Sequence, residues 1–254
     1  MSRLEDIAVA TMRDRMSKSS ISELLNIKNK LKKECKGGNE YCIFEKSLLR
    51  DLYAYAIVSF LNMYSFTVFG GFVTAHVSGK PWNDIDVMMP SDSRENLEHI
   101  LRIIAFLRLA FGFKPMEVQL HEKCTKYGTS AWHLSIIDGN FIHYINIDVV
   151  PKSSNKHMRW LPATVGKCLS MKDNVIALRS IPKCHCLLLS WKVDDVVEML
   201  RNGKDVGLSF PHASDSRNTE YRNYWWLKIN GIRNIGYVVD TFLGSTPPEP
   251  TKSS

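Results

Sequence analysis

Thr67-Val-Phe-Gly-Gly-Phe-Val-Thr-Ala-His-Val-Ser-Gly-Lys-Pro-Trp-Asn-Asp-Ile-Asp-Val-Met-Met-Pro90 is the stretch that decides the fold. Thr67, Val68 and Phe69 are β-formers that stop at Gly70-Gly71. Two adjacent glycines let the backbone turn sharply and bring N–H groups close to an anion. A short helix or loop follows, then a second strand carrying Asp84-Ile85-Asp86-Val87. Side chains alternate across a strand, so Asp84 and Asp86 share one face and Ile85 and Val87 the other. The apolar face goes to the core. The other holds two carboxylates about 7 Å apart along the backbone.

Two ionised carboxylates at that spacing repel unless a cation lies between them, and all-oxygen ligands favour Mg²⁺ or Mn²⁺. A glycine turn for phosphate beside such a pair points to metal-assisted phosphoryl or nucleotidyl transfer. A lone Asp-x-Asp reads more simply as a polar strand end. The ordered set of Gly-Gly, twelve residues, then Asp-apolar-Asp-apolar is far more specific.

The pattern Gly70-Gly71 followed by Asp84-Ile85-Asp86-Val87 resembles the signature of the polymerase-β-type nucleotidyltransferase superfamily. That family places a third carboxylate on a later, adjacent strand between apolar residues, and Tyr144-Ile-Asn-Ile-Asp148-Val-Val-Pro151 offers Asp148. The resemblance covers Val68 to Pro151. It implies Asp84, Asp86 and Asp148 as catalytic metal ligands for Mg²⁺ or Mn²⁺, with Gly70 and Gly71 holding the phosphates of a nucleoside triphosphate. Further on, Trp191 to Lys204 and Tyr221 to Gly231 loosely resemble the helical tails of family members found in large DNA viruses, which adds Lys204 as a nucleotide-binding cation. Other candidate phosphate cations are Lys80, Lys152, Lys156, Arg159 and Lys192, each of which reads alone as a solvated surface charge.

The fold class expected is therefore α+β: a nucleotidyltransferase core with a mixed β-sheet flanked by helices, plus a helical C-terminal lobe. The expected division is N-terminal helices over 1–43, the core over 44–151, a basic and mostly helical lobe over 152–243, and a disordered tail over 244–254, where Pro, Ser and Thr dominate.

Helices are expected over Leu4 to Met16 and from Ser20 or Ser22 to Lys33, the latter with Lys28, Lys30, Lys32, Lys33 and Lys36 on a solvated face. Phe44 to Tyr64 is a strongly apolar helix that should pack under the sheet. A capped helix runs to Phe111, with Leu97, Ile100, Leu101, Ile104 and Leu107 facing inward, and Gly112 stops it. Met116 to His121 alternates weakly as a strand. Trp132 to Ile137, the turn Asp138-Gly139-Asn140, and Phe141 to Val150 form the clearest hairpin. In its second arm Tyr144, Asn146 and Asp148 share a face. Helical segments are expected near Val165 to Leu169 and Leu187 to Arg201, with a short strand near Val175 to Leu178.

Cys184-His185-Cys186, with Cys168 and His157, would complete a tetrahedral zinc set, although Cys-x-Cys departs from the usual Cys-x₂₋₄-Cys spacing and buried thiols are common in cores. His76, His121, His133 and His143 read as structural, and Trp225-Trp226 as core.

The 254 residues suffice for a sizeable core. A formal charge of +7 favours polyanionic partners, RNA first. The region Lys152 to Lys204 holds ten Lys or Arg against four Asp or Glu. No stretch approaches a membrane span, and the N-terminus lacks a secretory apolar run, which predicts a cytoplasmic protein with reduced cysteines. The function expected is transfer of a nucleotide from a triphosphate to an RNA 3′ end. The rivals are transfer to a protein or small molecule, and a catalytically silent binding subunit.

Overall fold

The computed structural model describes residues 3–35, 41–90, 96–124, 130–150, 164–178 and 191–205. In chain order these form α1 (Arg3–Lys18), α2 (Ile21–Cys35), α3 (Tyr41–Met63), β1 (Thr67–Phe69), α4 (Gly71–Ser78), β2 (Asp84–Met88), α5 (Asn96–Phe111), β3 (Val118–Cys124), β4 (Ser130–Asp138), β5 (Phe141–Val150), β6 (Leu169–Lys172), β7 (Val175–Leu178) and α6 (Val193–Arg201). Single 3₁₀ turns at Pro115–Glu117 and Gly166–Cys168 lead into β3 and β6.

The strands make one seven-stranded sheet in the order β3-β4-β5-β2-β1-β6-β7. The β2–β5 pair is parallel and every other pair is antiparallel, so the sheet is mixed and the α+β expectation holds. The β4–β5 hairpin closes with Asp138 opposite Phe141, and Gly139 takes φ 64° at the first turn position.

Val68, Ile85, Val87, Ile145, Ile147 and Val149 make the buried face of the sheet. The central helix on that face is α3, whose residues Leu48, Leu49 and Leu52 through Val58 are all buried. The stretch Leu52 to Val58 is apolar on every side, and such a helical segment belongs in an interior. Against α3 pack α1, α2 and α5. Ser20 starts α2 with a capping box: its N–H donates to Glu23 Oε2 (2.7 Å), and the Glu23 N–H returns to Ser20 Oγ (3.4 Å).

Several expectations need correcting. The sheet does not end at Pro151: β6 pairs with β1, and β7 with β6, so the described part of the expected helical lobe is partly β. Leu169, expected at a helix end, opens β6. The expected start of the core at residue 44 falls inside α3, and Met16, Leu24, Ile27 and Leu31 of α1 and α2 join the same core cluster. Leu101 is 58% exposed, and Ile103 takes the inward position.

The lysine face of α2 is also only partly solvated. Lys30 and Lys33 are exposed, but Lys28 is buried, and both Lys28 (3.7 Å) and Lys32 reach the buried Asp138 at the end of β4. Tyr53 donates a hydrogen bond to the same carboxylate (2.6 Å). The Lys28 ammonium lies 4.3 Å from the centre of the Phe113 ring. Burial alone pushes the Asp138 carboxyl up. Hydrogen bonds from Lys32 and Tyr53 and the charge of Lys28 outweigh it and hold the pKa below the usual carboxylate range.

A depressed folded pKa gives stability that is present above the ordinary carboxylate pKa and is lost as pH falls through the folded value. Asp138→Asn should therefore melt well below the parent at neutral pH, because Lys28 is left buried without its counter-charge. The gap should narrow as the medium is acidified below the carboxylate range. Thermal denaturation of both proteins over that pH range checks it; a gap that widens in acid would contradict the assignment.

Candidate active site

The site begins with the register of three strands. Thr67↔Met88 and Phe69↔Asp86 pair β1 with β2, and Asp84↔Asn146 and Asp86↔Asp148 pair β2 with β5. Directly paired residues point to the same face, so Asp84, Asp86 and Asp148 project together from the face opposite the core. All three are half-buried. On β4, Asp148 faces Ala131, a small partner, and Asn146 faces His133. His133 Nδ1 lies 2.9 Å from Asn146 Oδ1.

Burial first, and then the nearby charge of Asp84, push the Asp148 carboxyl above the usual range, against a smaller opposing effect of His133. Desolvation and a like charge both disfavour the ionised form of this carboxyl. The three tips are not already gathered: among the described residues no group of three His, Cys, Asp or Glu side chains surrounds a single point.

Gly70 explains the glycine requirement. It takes φ 75°, ψ −140°, a region open to glycine, and caps α4, with the Thr74 N–H donating to its carbonyl (3.1 Å). A Cβ on Gly70 would stand 2.4 Å from Asp86 Oδ2. The turn and the carboxylate are thus packed against each other. Gly71 opens the helix, and a Cβ there would meet nothing within 4 Å. The N–H groups of the first turn of α4 lack intrahelical partners and carry the positive end of the helix dipole, so this end suits an anion. Thr74 turns its hydroxyl back to the Gly70 carbonyl (3.1 Å), the helix-facing role expected of it.

The two glycines should therefore respond differently to alanine. Gly70→Ala should cost about 1–3 kcal/mol of stability from the strained backbone alone, and it should displace the Asp86 side chain. Gly71→Ala should leave stability unchanged or slightly raised, since alanine outperforms glycine in a helix. Denaturant unfolding of both variants separates them. Equal tolerance at the two positions would contradict the packing of Gly70 on Asp86.

A buried frame holds the segment between α4 and β2. Arg13 of α1, 2% exposed, donates Nε to Asp51 Oδ2 (2.8 Å) and Nη1 to the carbonyls of Ala75 (2.8 Å) and Lys80 (2.6 Å). Asp51 also accepts from Trp82 Nε1 (2.6 Å). Arg50 then stacks its guanidinium 3.7 Å from the Trp82 ring centre and donates to the carbonyls of Trp82, Asn83 and Tyr144. Asp84 follows directly.

The remaining candidates are less concentrated. Lys204 is exposed just after α6, and its N–H donates to the Met199 carbonyl (3.1 Å); among the described residues it makes no salt bridge. Its neighbour Asp205 accepts the Gly166 N–H (2.9 Å), and α6 packs on α4. Lys80 and Lys192 are exposed. Lys152, Lys156, Arg159, His157, Cys184, His185, Cys186 and Trp225-Trp226 lie outside the described residues. Cys168 is buried, with its thiol 3.6 Å from the Thr164 carbonyl.

His76 and His143 are structural, as expected: both are buried, and burial lowers each pKa to about 4. His121 and His133 are different. They are exposed and lie in one row of the sheet with Asn146 and Asp84. The hairpin turn sets that register, so His133 opposite Asn146 was readable once Gly139 was placed in the turn.

No protein-family model and no curated protein matches the sequence. Solved structures of CCA-adding enzymes resemble it distantly. A CCA-adding enzyme in complex with CTP is 14% identical, with TM-score 0.40, over 89% of this chain and 46% of that one. The complex with ATP is 13% identical, with TM-score 0.39, over 88% and 45%. An apo form is 16% identical, with TM-score 0.35, over 63% and 33%. The chain spans less than half the length of these structures. Among the described residues no helix is long and apolar enough to cross a membrane.

Proposed function

We propose that the protein is a metal-dependent nucleotidyltransferase that moves a nucleoside monophosphate from a triphosphate to a hydroxyl acceptor, an RNA 3′ end. The observation that carries this reading is the register that sets Asp84, Asp86 and Asp148 on one face beside the Gly70 turn at the head of α4. Three carboxylates on neighbouring strand positions are an all-oxygen donor set of the kind that suits Mg²⁺ or Mn²⁺. An ion held there would lower the pKa of the attacking hydroxyl and offset charge on the triphosphate.

In this reading the acceptor hydroxyl oxygen forms a bond to the α-phosphorus. The bond from that phosphorus to the α,β-bridging oxygen breaks, and pyrophosphate leaves. Asp148, the carboxylate taken as nearest the attacking hydroxyl, accepts its proton. The first-turn N–H groups of α4 after Gly70 and Gly71 hold the leaving phosphates. Lys204 is the proposed additional cation for them. RNA as the acceptor is supported by the +7 charge and by the excess of Lys and Arg between Lys152 and Lys204.

The test is incubation of the full chain with each labelled nucleoside triphosphate, Mg²⁺ or Mn²⁺, and single-stranded RNA, protein and small-molecule acceptors in parallel. Metal-dependent label on the RNA is the result expected. Label on protein alone would shift the acceptor to the rival class, and metal-independent or absent triphosphate binding would overturn the reading.

A further inference from the structure

Strand β5 is longer than its partner β2. Pairing with β2 begins at Asn146, so Phe141 to Ile145 carry β4 on one edge only. Where β2 is missing, Arg50 of α3 takes its place, with Nε donating to the Tyr144 carbonyl (2.9 Å). The result is an open hollow between α3 and β5, lined by Lys46, Ser47, Arg50, Ile142, Tyr144 and Asn146. Its far end is Asn146, the register partner of Asp84.

The lining has the two components that a single nucleic-acid strand needs. One is a stacking surface: Tyr144 is 63% exposed and Ile142 45% exposed, adjacent on the same face of β5 as Asn146 and Asp148. An aromatic side chain left in water on an open sheet face, beside a catalytic centre, is a platform for an unpaired base. The other is positive charge. Lys46 is exposed on α3, and Arg50 is fixed by three carbonyls, so it contributes its field while Lys46 supplies mobile donors.

Position decides which substrate belongs there. The glycine turn flanks the carboxylates on the β1 side, and the hollow flanks them on the β5 side, across the sheet order β1-β2-β5. In-line displacement puts the attacking hydroxyl opposite the leaving pyrophosphate. With the phosphates at Gly70-Gly71, the acceptor approaches from β5. Tyr144 lies two residues from Asn146 and four from Asp148, hence about 7 and 13 Å along the strand. That distance suits a nucleotide upstream of the reacting 3′ end and excludes Tyr144 from the reacting atoms.

Resting on the nucleotidyltransferase reading above, we propose that this hollow is the acceptor subsite: it seats single-stranded RNA just upstream of its 3′ hydroxyl, with a base stacked on Tyr144 and a phosphate at Lys46. Tyr144 and Lys46 are positioning residues here.

The test measures the full chain with a fluorescent single-stranded RNA of about ten nucleotides, by anisotropy, and separately measures metal-dependent triphosphate binding. Tyr144→Ala should weaken RNA binding about 5- to 150-fold, the range for one base–aromatic stack. Tyr144→Phe should restore it. Lys46→Ala should weaken binding and lower the log–log salt slope by nearly one. Both alanine variants should bind the triphosphate as the parent does, and the acceptor KM should rise more than kcat falls. RNA binding unchanged in Tyr144→Ala, while the parent still binds triphosphate with metal, would overturn the subsite alone. A parent that binds no triphosphate overturns the underlying reading instead. Transfer to a protein or small-molecule acceptor that is indifferent to Tyr144→Ala counts against the subsite as well.

Discussion

Alanine at Asp84, Asp86 or Asp148 is expected to reduce nucleotide transfer by at least roughly 10²–10³, the scale of losing one preorganised electrostatic partner in an active site. The fold should survive each change. The three side chains are half-buried on the face opposite the core, and removing one of several neighbouring carboxylates relieves repulsion. Asp148 is the clearest case, because burial and then Asp84 already work against its charged form. The three losses should not add, since the carboxylates act as one set. Labelled-nucleotide incorporation together with thermal denaturation reads both sides of the expectation. An Asp86→Ala protein that transfers at the parental rate would remove the basis of the proposed mechanism. An inactive variant that has also unfolded would place Asp86 in the architecture instead.

The second large effect is expected far from the carboxylates. Arg13→Met should destabilise the protein by about 3–5 kcal/mol, as breaking a buried ion pair does when one charge is left behind. Among the described residues Asp51 would keep the Trp82 indole as its donor, the Ala75 carbonyl would keep only the Gly79 N–H, and the Lys80 carbonyl would lose the Arg13 donor. Those two carbonyls bracket the end of α4 and the start of the loop into β2, so the variant should also loosen the approach to Asp84. Gly79 lies inside this segment, where a Cβ would fall 1.7 Å from the Asp6 carbonyl of α1, so the loop cannot relax towards α1. Denaturant unfolding measures the loss; a change below about 1 kcal/mol, the ordinary scale of a point substitution, would show that Arg13 is not the fastening described. Replacing both partners, Arg13→Met with Asp51→Leu, should recover part of the stability, since two apolar groups leave no unpaired charge.

Much of this protein was legible from local chemistry. Asp84-Ile85-Asp86-Val87 and Tyr144 to Val149 each alternate with period two, and that period alone assigns the carboxylates to one face and the aliphatic residues to the core. Gly139 specifies the hairpin turn, and the turn specifies which β4 residue meets which β5 residue. The apolar run Leu52 to Val58 marks α3 as a buried helix. Gly70 and Gly71 announce a turn, but only the structure distinguishes them: Gly70 is required because Asp86 occupies the space of its Cβ, whereas Gly71 borders open space.

What escaped the sequence depends on partners distant along the chain. Lys28 and Lys32 look like a solvated stripe until Asp138, more than a hundred residues later, arrives beneath them. Arg13 carries no local sign that it will bind Asp51 and two carbonyls of another helix and loop. The strand expected over Val175 to Leu178 is β7, but β6 reads locally as a helix end, and it becomes a strand because β1 offers it an open edge. The parallel pairing of β2 with β5 is of the same kind. Alternation tells each strand which side chains to turn outward, but the number of residues by which one strand slides past another is set by packing of the whole sheet on α3 and α4. That slide puts Asp86 opposite Asp148 and leaves β5 bare beside Tyr144. The sequence by itself determined which residues face the site, because side-chain direction follows from backbone geometry within a single strand; the tertiary structure alone decided which of them meet, because register between distant strands is a property of the assembled core.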